Sequence, residues 1–318
     1  MRVALRVVVA LLAIATLLGY LDRVSWFFEL ATFFRVQYAV LLIAGAVAGL
    51  FLRDWPTVAV AVTAAVLNVV TVAPHWSPRE AGEPLGTDEV RLLFANVDVS
   101  NHDRRATAVY VARVDPDLVG ITELSPAWLH ALAPVLRRYP YRVTHVENDA
   151  YGIGLFSKRR LDGRIVRLPA AGPPTVVARF VLAGRPVTLV LTHPHTPFGP
   201  HAGGLHQQQL RALAAARPAW GTRALLCGDL NTPPWSGPLR SLMHTAHLAD
   251  SHRGYGLESS WPAWAWPLRV PIDNCLISPG LALAARSRGP SIGSDHFPLD
   301  ISLRATRLAG EAATGESS

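Results

Sequence analysis

Six expected strand termini in this chain, most of them following a short apolar run, each offer an acid, an amide or an imidazole. "LLFANVD" ends in Asn96 and Asp98, "DLVGITEL" in Glu123, and "LVLTHPH" in His193 and His195. "LLCGDLN" ends in Asp229 and Asn231, "VPIDN" carries Asp273, and "SIGSDHFPLD" carries Asp295 and His296. Most of these runs are too apolar for a surface strand and read as strands buried on both faces. Side chains at i and i+2 share one face of a strand. Asp229 and Asn231 are therefore expected to face one place, and so are Asn96 and Asp98. One polar strand end is a turn. Six of them restrict the chain to folds whose buried sheets share a polar edge.

The remaining pattern fits such a fold. Strands are predicted over 90–97 and 117–123, with a helix over 101–114 capped by Asn101. A second helix, over 125–139, starts with Ser125 at the cap and Pro126 at the first helical position. Strands without intervening helices follow over 141–146, 152–157, 161–168, 175–181 and 187–192. A helix over 201–216 and strands over 223–227, 270–277 and 297–301 complete the set. Helices pair with strands at both ends and consecutive strands fill the middle. That order predicts two packed sheets with helices outside, an α/β sandwich.

The first 73 residues are different. Their only charges are Arg2, Arg6, Asp22, Arg23, Glu29, Arg35, Arg53 and Asp54. These charges divide three apolar runs, 7–21, 36–52 and 57–73, each near the ~20 residues that cross a bilayer. A signal peptide would account for the first run but not the other two. A buried helical hairpin is the alternative. The expectation is a multi-pass region of three spans over 1–73, a polar linker over 74–89, a catalytic domain over 90–306 and a loose tail over 307–318. Arg2, Arg6 and Arg53 oppose Arg23 and Arg35 in the positive-inside balance. That balance puts the amino end in the cytoplasm and the domain outside it. Trp26, Phe27, Phe28, Phe33 and Phe34 suit a membrane interface.

The chain carries a net charge of +7, and positions 88–304 hold 23 basic and 16 acidic residues. The excess suits an anionic substrate or lipid surface. All basic residues but Lys158 are arginine, so a compositional habit explains it as well. Cys227 and Cys275 read as small buried hydrophobes, bonded only if their strands are neighbours.

The polar set is carboxylates, amides and imidazoles. Oxygen donors suit Mg²⁺, Mn²⁺ or Ca²⁺, and imidazoles suit proton transfer or charge stabilisation at a phosphoryl group. There is no G-x-S-x-G elbow and no Gly-rich phosphate loop followed by lysine. A soft metal on His193 and His195 would leave the acids unexplained.

At these residues the chain resembles the endonuclease/exonuclease/phosphatase superfamily, the deoxyribonuclease I-like fold. The matching pieces are "NVD", "PDLVGITEL", "YGIGLFSKRRL", "LTHPH", "CGDLNTPP", "PIDNCLIS" and "GSDHFPL", in the family's order from 91 to 303. The resemblance implies a four-layer α/β sandwich, two packed β-sheets flanked by helices, here preceded by three transmembrane helices. It implies P–O cleavage by direct attack of an activated water. Glu123 would be the principal Mg²⁺ ligand (Mn²⁺ or Ca²⁺ as alternatives), with Asn96 and Asp98 completing that corner. His193 would stabilise charge on the phosphate, Asp229 would orient or deprotonate the water, and Asn231 would bind the phosphate. His296, oriented by Asp273, would act as base or phosphate binder, and Asp295 would support the metal or Asp229. Asn274 stands where the family commonly has an aromatic residue or histidine, which puts the floor of the site in question.

The expected activity is a membrane-anchored, divalent-metal-dependent phosphodiesterase or nuclease. Its partners would be the bilayer and a phosphate ester: nucleic acid, nucleotide or phospholipid. No protein partner is indicated. The alternatives are a lipid head-group phosphatase or phospholipase-type esterase, and an inactive scaffold on the same fold. His102, His130, His145, His201, His206, His244, His247 and His252 are expected at the surface. "SKRR", 157–160, is expected to be a solvated turn, and "WPAWAWP", 261–267, a rigid packed loop near the site.

Overall fold

The computed structural model describes residues 1–78 and 82–308. The three apolar runs fold as helices: α1 (Arg2–Leu18), α3 (Arg35–Phe51) and α4 (Trp55–Val72), with a short α2 (Trp26–Leu30) in the first loop. They pack through small residues. Ala39, Gly45, Ala46, Gly49, Ala61, Ala64 and Ala65 lie buried around Leu42 and Val9. A Cβ on Gly45 would come within 2.9 Å of Val9 and one on Gly49 within 2.9 Å of Val58. Small residues let helices approach closely where apolar burial alone does not hold them together. The three-span expectation is not supported. Among the described residues one helix, from Trp55 through the 3₁₀ turn to His75, is long and apolar enough to cross a membrane. α1 and α3 stop at 17 residues each.

Two six-stranded mixed sheets follow. The first has the order β11-β12-β1-β2-β4-β3 and the second β5-β6-β7-β8-β10-β9. Their strands are β1 (Pro84–Asn96), β2 (Leu118–Thr122), β3 (Tyr141–His145), β4 (Ile153–Ser157), β5 (Leu161–Arg167) and β6 (Pro174–Leu182). The rest are β7 (Arg185–Leu191), β8 (Ala224–Asp229), β9 (Ala249–Asp250), β10 (Asp273–Ile277), β11 (Leu281–Arg288) and β12 (Leu299–Thr306). Facing residues of the two sheets, among them Leu92, Phe94, Leu155, Val176, Leu189 and Leu225, form the central core. α5 (Arg104–Val114) and α6 (Pro126–Leu136) close the outer face of the first sheet around Trp128 and Leu132. α7 (Pro200–Ala216) and α8 (Gly237–Ala246) close the second around Leu213, Trp220 and Leu239. This is the α/β sandwich expected.

Among the described residues only two pairings are parallel, β1 with β2 and β7 with β8. Parallel neighbours bring their C-terminal ends to the same edge. β10 runs antiparallel to β8, so its first residue, Asp273, sits directly across from the last, Asp229. The carboxyl ends of β1, β2, β7 and β8 and the start of β10 thus form one polar edge.

Several expectations change. β1 starts at Pro84, so the last six residues of the expected linker, 84–89, are strand. α5 starts at Arg104 with Asp103 as cap, while Asn101 accepts from the Asp103 N–H. α8, β9 and β11 fall where no element was expected. Residues 309–318 of the expected tail lie outside the described residues. Cys227 and Cys275 are cross-strand partners joined in a disulfide, with Cα atoms 4.1 Å apart, and are not free hydrophobes. Phe33 is buried against Val270 and Ile272 and is not at a membrane interface. His206 and His252 are fully buried, each with polar partners.

Candidate active site

His296 anchors the polar edge. Its Nδ1 meets Asp273 Oδ2 at 2.7 Å, and its Nε2 stands 3.6 Å from Asp229 Oδ2 and 3.7 Å from Asp295 Oδ1. From the other side, His193 Nε2 lies 3.4 Å from the same Asp229 oxygen, and its Nδ1 faces the Ala150 carbonyl at 2.9 Å. A carbonyl only accepts, so the His193 Nδ1 carries a proton and points Nε2 into the site. Asn96 Nδ2 then donates to both Asp229 Oδ2 and Glu123 Oε1, each at 3.0 Å. The result is a continuous line, Asp273–His296–Asp229–Asn96–Glu123, with His193 branching at Asp229. It joins the two sheets at their shared edge.

Burial and charge oppose one another along this line. Burial alone would lower the pKa of His296, but the carboxylates of Asp273, Asp229 and Asp295 raise it to about 10. His193 is likewise lowered by burial and raised above its usual value by the bond to Asp229 and the charges of Asp229 and Glu123. Burial would push Asp229 up; His296, His193 and the Asn231 N–H hold it well below the usual carboxylate range. Burial and the Asp229 charge push Asp273 upward against the pull of His296. Two imidazoles inclined to be cationic face a carboxylate held ionised.

The remaining expected residues are placed as follows. Asn231 stands beyond the end of β8 in the left-handed region, at φ 53°. The i, i+2 rule of strands therefore does not bring it to Asp229. Its backbone N–H does so instead, donating to Asp229 Oδ1 at 2.9 Å, while Nδ2 donates to the Pro194 carbonyl. Asp98, also left-handed at φ 56°, turns away: Oδ1 accepts from both the N–H and the hydroxyl of Ser100. Only its backbone N–H bonds Asn96 Oδ1. Asp295 is 40 % exposed and accepts from the Trp261 indole at 2.9 Å. Glu123, half-buried at φ 61°, also accepts from the Val99 N–H at 2.8 Å. Three non-glycine residues at positive φ on one edge is the strain that clusters where geometry serves chemistry.

Oxygen donors for a cation are Glu123 and Asn96 at one corner. Asp229, Asp273 and His296 offer a second group, with ligand atoms all within 4.8 Å of one another. In that second group the imidazole and a carboxylate already bond each other, which makes it a proton-holding pair. Each Glu123 oxygen accepts one hydrogen bond, from Asn96 or from the Val99 N–H, and keeps a lone pair for an ion.

Some contributors were not foreseen. Ser294 Oγ donates to the Asn96 carbonyl and accepts from the His296 N–H, tying the "GSDH" turn to β1. Ser260 Oγ accepts from the Asp273 N–H. Tyr151 OH lies 2.6 Å from His195 Nδ1, and its ring centroid is 6.3 Å from that of His193. Serine beside a "DH" pair was the one available signal. Asn274 leaves the site floor: as neighbour of Asp273 on a strand it faces the other way and bonds Ser251 and Asp250. Of "SKRR", Lys158 and Arg159 pair with Asp115 and Asp88 and are structural. In "WPAWAWP" Trp261 borders His296, with ring centroids 6.4 Å apart, while Trp264 and Trp266 are exposed.

Residues 93–296 match a family model described as the endonuclease/exonuclease/phosphatase family. Similar solved structures include Danio rerio TDP2 complexed with a single-strand DNA product. It is 16 % identical with TM-score 0.57, over 69 % of this chain and 100 % of that one. The human nocturnin catalytic domain with bound sulfate is 16 % identical at TM-score 0.55, over 69 % and 97 %. Sphingomyelinase C from Streptomyces griseocarneus is 19 % identical at TM-score 0.52, over 68 % and 99 %. At these identities the likeness is one of fold. No curated protein matches the chain by sequence.

Proposed function

The chain belongs to the endonuclease/exonuclease/phosphatase family, and from that premise we propose that it is a membrane-anchored, divalent-metal-dependent hydrolase of phosphoric esters. The observation that carries this reading is the line from Asp273 through His296 and Asp229 to Asn96 and Glu123. An inactive scaffold has no use for a buried carboxylate between two imidazoles, which is costly to fold.

The family implies a metal, and the residues present fit one. The donors are hard oxygens without cysteine, and Asp273 Oδ1 is buried with no hydrogen-bond partner, a sign of unfilled polar capacity at this edge. Glu123 and Asn96 would hold the ion, with Asp98 and Asp295 nearby but engaged elsewhere. A bound Mg²⁺, Mn²⁺ or Ca²⁺ would neutralise charge on the phosphoryl oxygens and orient them. The protein groups do the rest. Asp229, ionised, accepts the hydrogen bond that orients the attacking water. His193 and His296 aim Nε2 at the phosphoryl oxygens and donate to them, and charge they stabilise there lowers the barrier. Asp273 holds the His296 tautomer. Asn231 keeps a second amide hydrogen for the phosphate.

The substrate class follows less from the site than from its surroundings. The DNA product bound by the TDP2 structure makes nucleic acid one class. A lipid ester is a second, favoured by a cleft of about 530 Å³ between α3 and the aromatic loop. It is lined by Val36, Val40, Leu41, Trp266 and Leu268, with Arg269 and Arg288 also in its wall. The test is turnover by the full chain in detergent or nanodiscs. Bis(p-nitrophenyl) phosphate, p-nitrophenyl phosphate, single-stranded DNA and phospholipid vesicles would be compared with Mg²⁺ and with EDTA. Cleavage of at least one ester, abolished by EDTA, is expected. No turnover on any of them would favour the scaffold.

A further inference from the structure

The groups above all belong to the sandwich, but the loop between α1 and α3 reaches the same edge from behind. Glu29 on α2 is completely buried. Its Oε1 accepts from Thr232 Oγ1 at 2.9 Å and lies 3.6 Å from His206 Nδ1, and its Oε2 accepts from Gln207 Nε2 at 3.2 Å. The other nitrogen of His206 bonds the Leu230 carbonyl at 3.1 Å. Leu230 and Thr232 are the two neighbours of Asn231, and Leu230 follows Asp229. Around them the loop is fixed by further bonds. Asp22 Oδ2 accepts from the Gly237 N–H at 2.6 Å at the start of α8, and the Trp235 indole donates to the Thr32 carbonyl at 2.7 Å.

Resting on the hydrolase reading above, we propose that Glu29 is a positioning residue of the active site. Bonded directly to Thr232 Oγ1 and packed against the His206 imidazole, whose Nε2–H donates to the Leu230 carbonyl, it sets the 230–232 turn so that Asp229 and Asn231 converge on one phosphate. The helical region would then be part of the enzyme and not only its anchor. Burying a carboxylate is expensive unless its bonds are well made. Docking these helices would need only apolar surface, which Trp26, Phe33 and Phe198 already supply. A carboxylate in that place is explained by what it orients. A reacting group displaced by ~1 Å from a remote change can cost ~10² in rate.

The test uses the full chain in detergent, with bis(p-nitrophenyl) phosphate turnover and hydrogen exchange over 229–237. Glu29→Ala and Thr232→Val are expected to lower kcat by roughly 10- to 100-fold. The Mg²⁺ half-saturation should stay unchanged, because Glu123 and Asn96 lie on the other sheet. Glu29→Gln and Thr232→Ser should remain within about threefold of wild type, and the double variant Glu29→Ala/Thr232→Val should be no worse than the worse single, as for two members of one unit. Exchange should quicken within 229–237. Should Glu29→Ala fail to fold, the Thr232 pair carries the comparison. Wild-type kcat in folded Thr232→Val, or an equal loss in Thr232→Ser, overturns the positioning role alone. A wild-type chain with no turnover overturns the hydrolase reading and this role together.

Discussion

At the scale of single residues, the site is governed by how many charges converge on one carboxylate. Asp229→Asn removes the charge but keeps the shape, so turnover is expected to fall ~10²–10³-fold with the fold unchanged by circular dichroism. Near-wild-type rates would discard its assigned role. His296 carries a pH signature. Its folded pKa of about 10 lies above the ordinary ~6.5 of an unfolded histidine. The folded state therefore binds more protons between these values. Stability from the His296–Asp273 pair is fully present below about pH 6.5 and lost as pH rises through about 10. In EDTA, the wild type should lose more thermal stability from pH 6.5 to 10 than Asp273→Asn does. Parallel curves would show the pair to be uncharged. These residues were legible because each borders an apolar run: Asp229 ends β8, Asp273 begins β10 and His296 precedes β12. Asp98 was misplaced for a physical reason: β1 stops at Asn96 and the chain enters a left-handed turn, where strand alternation no longer applies. Glu29 and His206 were illegible, since a lone acid in an apolar segment and a lone histidine in a helix give no sign of the partner they meet in space.

At the scale of elements, the edge depends on how closely β7 and β8 approach. A Cβ on Gly228 would fall 1.8 Å from the Thr192 carbonyl oxygen, and Thr192 and Gly228 immediately precede His193 and Asp229. Backbone cannot yield as a flexible side chain can. Gly228→Ala must therefore separate the two strand ends or fail to fold. The expected result is a loss of about 1–3 kcal/mol, the usual cost of overpacking, and a larger proportional loss in kcat than in metal affinity. Denaturant unfolding and Mg²⁺ titration measure the two. Unchanged stability would mean that the strands are not so close. The central strands and flanking helices were legible from run length and periodicity. β11 and α8 were not. β11 is exposed along much of its length, so its alternation is broken, and α8 begins with Gly237 and Pro238, which read as loop. Ser236 caps this helix locally, and Asp22, over two hundred residues away, also accepts the Gly237 N–H.

At the scale of the whole molecule, the helical region has two ends of different character. One end holds Arg2, which donates to the Leu52 carbonyl, and Arg6, which pairs with Asp54. The other holds the 22–34 loop and His75, which bond the sandwich through Glu29 and through Asp250. In the proposed membrane orientation these ends lie on opposite sides. The sequence alone left three arginines against two. Arg35 is buried, bonds Asn68 and stacks on Tyr20 at 4.4 Å, so it is a packing group and not a free loop charge. Discounting it would leave Arg23 alone against Arg2, Arg6 and Arg53 in the balance on which the proposed cytoplasmic amino end rests. The sandwich would then face outward, where the Cys227–Cys275 disulfide would persist. Alkaline phosphatase fused after Arg304 should be active, and a fluorescent protein that matures poorly outside should be dark there. Native chain should show no thiol reactive to maleimide until it is unfolded and reduced. A bright fluorescent fusion beside an inactive phosphatase would reverse the orientation. It would leave the catalytic line untouched while moving its substrate to the cytoplasm.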